Sequence, residues 1–229
     1  MQVIKNLIIN SPFEKIIRFL LGGRNSGSAS IDPIIPYLKG RFKNTKDLKV
    51  LEIGARYGDS SLKIISNLSV YKYVIIDPYE TYQDYENDGF DNVLKLKGAD
   101  HVFNETRKKL EGKVPVLLFH RKYSNDKKLI ENISKEMFDL IFIDGNHEYK
   151  YVLDDLINYY PLLEDGGVLC GDDYHTRSKK NDWLGTIPAN DKRPMVYEAV
   201  KDFSEKNKLN YLSFGNHRGY AKTFVFEKN

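Results

Sequence analysis

Cysteine is almost absent: Cys170 stands alone among 229 residues. One thiol cannot build an intramolecular disulfide framework, nor a zinc or iron–sulfur centre that needs several cysteines. A reducing, cytoplasmic setting is therefore expected. Charge of one sign is lacking as well. The 35 basic and 32 acidic side chains leave a formal net charge of +3, and like charges nowhere gather in a run of five. Nothing in that balance favours a nucleic-acid partner or a polybasic membrane contact. Long apolar runs are missing too. The opening stretch, MQVIKNLIINSPFEKIIRFLLGG, is interrupted by Lys5, Glu14, Lys15 and Arg18. It falls short of a signal-peptide core and of the roughly 20 residues that cross a bilayer, so no transmembrane segment is expected. With 41% hydrophobic and 29% charged residues, the chain has the material for one globular core behind a charged surface.

The opening stretch reads as a helix. Ser11 as N-cap, Pro12 at the first helical position and Glu14 three residues after the cap make a capping-box pattern, and Gly22-Gly23 supplies the stop. Phe13, Ile16, Ile17, Leu20 and Leu21 fall on one face, which packs on the main domain or on a second copy in a homodimer. Residues 1–47 are accordingly expected to form a helical extension, lid or dimer contact, with residues 23 to 30 as a linker. Residues 48–229 are expected to form the main domain.

From Leu48 onward, apolar runs of strand length alternate with helical patterns, the mark of a parallel sheet covered on both faces. Strands are expected at 48 to 54, 73 to 79, 114 to 120 and 138 to 145, with a fifth in GVLCGDDY. Helices begin near Asp59, at Ser124 as N-cap, and at about Glu148, this last carrying Val152, Leu156, Ile157 and Tyr160 on one stripe. Asp165-Gly166-Gly167 is expected to end it. After a polar loop from about His175 to Arg193, a helix near Pro194 precedes two strand patterns joined closely around His217-Arg218-Gly219. So short a connection demands an antiparallel pair. The fold class expected is α/β, a Rossmann-like, doubly wound, mostly parallel seven-stranded sheet with a C-terminal antiparallel hairpin.

The strongest local motif is LEIGARYGDSSL, residues 51 to 62, where a strand ends in glycine and a helix begins. Such a loop lets backbone approach a ligand, and the helix N-terminus offers unpaired N–H groups. The dinucleotide fingerprint would need glycine where Arg56 and Asp59 stand, which disfavours NAD, and no phosphate-binding G-x-x-x-x-G-K-[ST] occurs. What remains is E-x-G-x-x-x-G-x-S, formed by Glu52, Gly54, Gly58 and Ser60. Asp77 closes the second strand, where a carboxylate can accept hydrogen bonds from ribose hydroxyls. Taken singly, the glycines also suit a tight strand-to-helix connection, and Asp77-Pro78 a turn.

A second motif runs through IDGNHEY and LLEDGGVLCGDDY. Asp144 closes the fourth strand, and Asp172 and Asp173 close the fifth. In a parallel sheet both ends open onto one crevice, so three carboxylates converge. Uncompensated they repel; a hard divalent cation, magnesium by default, satisfies them with oxygen ligands. The plainer alternative is that Asp172 and Asp173 cap a loop and Asp144 starts a turn. His147 is a candidate general base or a helix-end hydrogen-bonding group, and Asp144 is the other candidate proton acceptor. Tyr174, His175 and the following loop, with Arg177, Lys179, Lys180, Trp183 and Arg193, would form the acceptor side. Trp183 suits stacking on a sugar face or pinning a lid.

Together with the order of the elements, these residues resemble the class I S-adenosylmethionine-dependent methyltransferases, over residues 48 to 228. The resemblance implies that Glu52, Gly54 and Gly58 line the methionine moiety, with Ser60 and Asp144 alongside, that Asp77 holds the ribose, and that Ser124 lies near the adenine. Asp172 and Asp173 follow Asp144 by 28 and 29 residues. This spacing resembles that of the cation-dependent O-methyltransferases, of the catechol type and of the type related to macrocin O-methyltransferase. The longer signature is most similar to the latter, although its sugar-modifying members often differ at the position of His147, where the catechol type carries lysine. The resemblance implies S-adenosylmethionine and Mg²⁺ as cofactors and methyl transfer to a hydroxyl of a small molecule, foremost a sugar or glycosylated metabolite. A catechol acceptor, a hydroxylase-like relative, and a silent module that binds S-adenosylmethionine without turnover are the alternatives.

Overall fold

In the computed structural model, the structure describes residues 29–80, 98–174, 195–215 and 222–228. The expected helix at residues 11 to 21, the connection at 217–219, and the loop residues His175, Arg177, Lys179, Lys180, Trp183 and Arg193 lie outside them.

Period and composition explain the strands. β1 (Leu48–Ile53), β2 (Val70–Ile76), β3 (Val116–His120), β4 (Phe138–Ile143) and β5 (Leu163–Gly171) run parallel, and β6 (Tyr211–Gly215) and β7 (Lys222–Glu227) form the antiparallel end. The order across the sheet is β3-β2-β1-β4-β5-β7-β6, which is the expected fold class. β1 and β4 are near-continuous apolar runs because both faces are covered. On one face, Leu51, Ile53, Ile141, Ile143 and Leu169 meet α4 (Lys127–Ile133), α5 (Tyr149–Tyr159) and α6 (Val196–Asn207). On the other, Val50, Leu140, Phe142 and Cys170 meet α1 (Ile35–Arg41) and α2 (Asp59–Asn67). The remaining helix, α3 (Ala99–Leu110), follows β2.

Residues before β1 belong to this second layer. Ala29, Ile31, Ile34, Leu38 and Phe42 are all buried in it, and Arg41 Nη2 donates to the Gly166 carbonyl at 2.6 Å. The described part of the 1–47 segment thus packs on the strands themselves. Among the described residues, no helix is long and apolar enough to cross a membrane.

Local signals were read differently by the folded chain in three places. Asp165-Gly166-Gly167 does not separate a helix from β5; it lies inside β5, as an irregularity where the pairing with β4 shifts register. Gly166 takes a φ of +78°, its N–H bonds the Lys228 carbonyl at 2.7 Å, and Lys228 N–H returns to Gly167 at 3.1 Å. The helix ends earlier, in a 3-10 turn at Tyr160–Leu162. Secondly, α4 is capped by Asp126, whose carboxylate accepts from Leu129 N–H at 2.9 Å, not by Ser124. Thirdly, Ile157 is exposed, and the buried stripe of α5 is Val152, Asp155, Leu156 and Tyr159.

Gly171 marks the tightest point between β5 and β7: a Cβ there would lie 2.5 Å from the Phe224 ring. Gly171→Ala should lower stability by about 1–3 kcal/mol through overpacking, measurable as a lower denaturation midpoint. An unchanged midpoint would mean that both Phe224 and the Ile143 carbonyl, 2.7 Å from that Cβ, give way.

Candidate functional site

The chain leaves β1 outward to β2 and β3, then returns to place β4 on the other side of β1, so a crevice opens where the order reverses. Backbone hydrogen bonds extend the ladder one residue past each strand. Asp77 N–H bonds the His120 carbonyl at 3.1 Å, Asp144 N–H bonds Ile53 at 2.8 Å, and Asp172 N–H bonds Ile143 at 3.2 Å. Asp77, Asp144 and Asp172 are therefore each the first residue beyond a strand, fixed along one edge of the sheet, and Asp173 follows Asp172.

Gly54 brings the two motifs together. It has a φ of +82°, and any Cβ on it would run into the backbone carbonyl of Asp144. Only glycine fits that approach. Three non-glycine residues near the same edge are also left-handed: Arg56 after β1, Tyr79 after β2 and Asp173 after β5. Such strain costs on the order of 1–3 kcal/mol per residue and gathers where a chain is held for function.

Asp77 lies under the glycine loop. One carboxylate oxygen accepts from Ala55 N–H at 2.9 Å and Arg56 N–H at 2.8 Å, the other from Tyr79 N–H at 2.7 Å. Burial pushes its pKa up, and the three backbone donors oppose that. Most of its accepting capacity is thus spent on shaping the loop. Glu52, expected beside the methionine moiety, is fully buried and bonded to the Ser61 and Tyr73 hydroxyls, the latter at 3.0 Å. Burial raises its pKa to about 8, against the pull of those two hydroxyls and with a push from Asp144 and Asp77. It pins α2 to β2. Gly58 is the left-handed N-cap of α2, and Ser60 is buried in that helix's first turn.

At the other half of the crevice, His147 stands between two carboxylates. Its Nδ1 lies 2.9 Å from Asp173 Oδ2 and its Nε2 lies 3.4 Å from Asp144 Oδ1. The IDGNHEY turn is shaped by Asn146, whose side-chain oxygen accepts from Glu148 N–H at 2.9 Å. Burial opposes a charged imidazole, but Asp173 and Asp144 together outweigh it, and the pKa of His147 rises well above its ordinary value. Asp172 is buried alongside. Among the described residues, no group of three or more His, Cys, Asp or Glu is arranged as a metal site; the imidazole stands between Asp144 and Asp173. Asp144, Asp172 and Asp173 are oxygen donors of the kind a hard cation takes, and in this arrangement the imidazole supplies the charge that compensates Asp144 and Asp173.

Two expected residues face elsewhere. Tyr174 was expected on the acceptor side, but it is 7% exposed, its ring packed against Tyr197, Tyr211 and Phe224 and its hydroxyl 2.8 Å from that of Tyr211. Aromatic packing behind β5 claims it. Ser124 accepts the Tyr159 hydroxyl on its carbonyl at 2.6 Å, and its own hydroxyl attends Asp155. That carboxyl is buried, which raises its pKa to about 7 against the pull of Ser124. The signal for Asp155 was available, since a carboxylate occupied the i+3 position of an otherwise apolar stripe.

A doubly wound sheet ending in this hairpin, with the glycine loop and acid-bearing strand ends along one edge, is the class I methyltransferase fold. A family described as "Methyltransferase domain" matches residues 51–174, more than half of the chain, and the chain belongs to that family. The uncharacterized protein R132 of Acanthamoeba polyphaga mimivirus is 26% identical over 130 residues, 56% of this chain and 52% of that one. The chain thus spans about half the length of that curated relative. Among solved structures, an O-methyltransferase family protein from Burkholderia thailandensis aligns with a TM-score of 0.58 at 10% identity, over 87% of this chain and 56% of the other. The O-methyltransferase from Bacillus cereus, solved in complex with SAH, aligns at 0.55 and 17% identity over 99% and 96%. At such identities the likeness is one of fold.

Proposed function

We propose that the chain is an S-adenosylmethionine-dependent O-methyltransferase acting on a hydroxyl of a small molecule, a sugar or glycosylated metabolite foremost. The observation that carries this reading is the position of His147, clamped by Asp144 and Asp173 at the strand end that Gly54 touches. A titratable imidazole thereby stands next to the loop that would hold the methyl donor.

The α2 N-terminus is suited to the cofactor's polar end, with Gly54, Gly58 and Ser60 allowing close approach and Asp77 lying towards its nucleoside. Methyl transfer forms an O–C bond as the C–S bond of the sulfonium breaks, in line, and the acceptor's proton must leave. His147 can take that proton only as the neutral imidazole, so the carboxylates that hold it charged in this arrangement must lose that hold, as they would if a cation drew on their charge. Asp144, Asp172 and Asp173 would hold Mg²⁺, which when bound lowers the pKa of a coordinated hydroxyl. Two vicinal hydroxyls suit such an ion, which favours a sugar diol and keeps a catechol as the second acceptor class. The B. cereus relative's complex with SAH supports the cofactor assignment.

The test is product formation. The full chain, incubated with S-adenosylmethionine, Mg²⁺ and a panel of sugars, glycosylated metabolites and catechols, should release S-adenosylhomocysteine with a hydroxylated acceptor. Cofactor binding without any product across the panel would instead favour the silent module. We also propose a homodimer through the apolar stripe of residues 11 to 21. Changing Ile17 and Leu20 to charged residues should shift sedimentation towards monomer, and an unchanged sedimentation coefficient would remove that stripe from the interface.

A further inference from the structure

The glycine loop is gripped from outside the crevice by α3. Thr106 is fully buried, and its hydroxyl lies 2.5 Å from the Arg56 carbonyl and 2.9 Å from that of Val102. Its methyl is the atom a side chain at Gly58 would strike, at 2.9 Å. One turn further on, Lys109 Nζ donates to the Tyr57 carbonyl at 2.5 Å and pairs with Asp59 at 2.7 Å. Arg56 is the left-handed non-glycine residue of this loop, with a φ of +52°. Its N–H is held by Asp77 at 2.8 Å and its carbonyl by Thr106. Both peptide groups of a strained residue are therefore tethered, one to β2 and the other to α3. A residue in that region persists only when its surroundings over-determine it. If Arg56 relaxed to a right-handed conformation, the peptides on either side would rotate, the loop would leave Asp77 and Thr106, and its path between Gly54 and Gly58 would change.

We propose that Thr106 and Lys109 are positioning residues that hold the glycine loop in its cofactor-binding form, so that affinity for S-adenosylmethionine is set in part from α3. The proposal rests on the reading of this loop as the S-adenosylmethionine site. Neither residue belongs to the loop's sequence motif; what assigns them is that their polar atoms end on the carbonyls of two consecutive loop residues.

Calorimetry with S-adenosylhomocysteine on the full chain tests it. Thr106→Val keeps the bulk against Gly58 and removes the hydroxyl, so Kd should rise about tenfold, the order expected for one lost buried hydrogen bond. Turnover at saturating cofactor should change less than about twofold, because the loss falls on binding. Thr106→Ser, which keeps the hydroxyl, should retain affinity. In an Arg56→Gly background, where the left-handed conformation carries no side-chain penalty, Thr106→Val should cost much less. Lys109→Met, at a partly exposed site, serves if Thr106→Val fails to fold, with an expected weakening of about threefold. Unchanged affinity in folded Thr106→Val, or an equal loss in both Arg56 backgrounds, overturns the positioning role while wild-type binding keeps the cofactor reading intact. A folded wild-type chain that binds no S-adenosylhomocysteine overturns both.

Discussion

His147→Ala is expected to lower turnover by about 10² to 10⁴-fold, the usual worth of a positioned acid–base group, while S-adenosylmethionine affinity stays within a few-fold. The imidazole touches Asp144 and Asp173 and none of the loop residues that would carry the cofactor, so its loss falls on the chemical step. The metal assignment predicts a different pattern. Chelator should abolish turnover and leave cofactor binding largely intact, and Asp172→Asn should imitate it by removing ligand charge. In His147→Ala, Asp144 and Asp173 lose the group that stands between them, so magnesium binding should persist or tighten. Full turnover in chelator would sink the metal assignment. An unaltered rate in His147→Ala would move the proton-acceptor role to Asp144.

The placement of Asp144 and Asp172 one residue past adjacent parallel strands was legible because alternating apolar runs and helices mark where such strands end. His147 was legible as a candidate from its distance along one turn, but its position between two carboxylates depends on the left-handed Asp173, which no local pattern announces. Where reading failed, a distant partner decided. Asp165-Gly166-Gly167 carries every sign of a helix stop, yet the tail of β7 pairs with it and draws it into the sheet. Ser124 and Asp126 are equally good caps by composition; Asp126 does the capping while Tyr159 holds the Ser124 carbonyl. Tyr174 sits one residue past the acids, where a substrate contact was a fair expectation, and the aromatic side chains of β6, β7 and α6 bury it. Thr106 and Lys109 lie about 50 residues from the carbonyls they hold, beyond the reach of any spacing rule.

Glu52→Gln is expected to stabilise the protein in mildly alkaline solution. Burial holds the Glu52 carboxyl protonated up to about pH 8, whereas an ordinary glutamate titrates near 4.5. Below pH 4.5 folded and unfolded chains carry the same proton. Between 4.5 and 8 the unfolded chain releases it and the folded chain keeps it, so stability falls steadily as pH rises through that window and is level above it. Over such a span the loss amounts to about 5 kcal/mol, at 1.36 kcal/mol per pH unit. Glutamine keeps an oxygen for the Ser61 and Tyr73 hydroxyls and has no proton to lose. Asp155, raised to about 7, and His147, raised well above its ordinary value, tilt the same curve in the same direction. The comparison must therefore be between variant and wild type across pH 5 to 9. Denaturation midpoints should nearly coincide at pH 5 and diverge in favour of Glu52→Gln towards pH 8. The neutral carboxyl also spares the glycine loop a third negative charge beside Asp77 and Asp144, so ionised Glu52 should loosen the loop, and cofactor affinity in the wild type should decline above pH 8 while that of Glu52→Gln holds. Parallel stability curves for the two proteins would show that Glu52 is ionised in the folded chain at neutral pH and that Ser61 and Tyr73 pay its burial in hydrogen bonds alone.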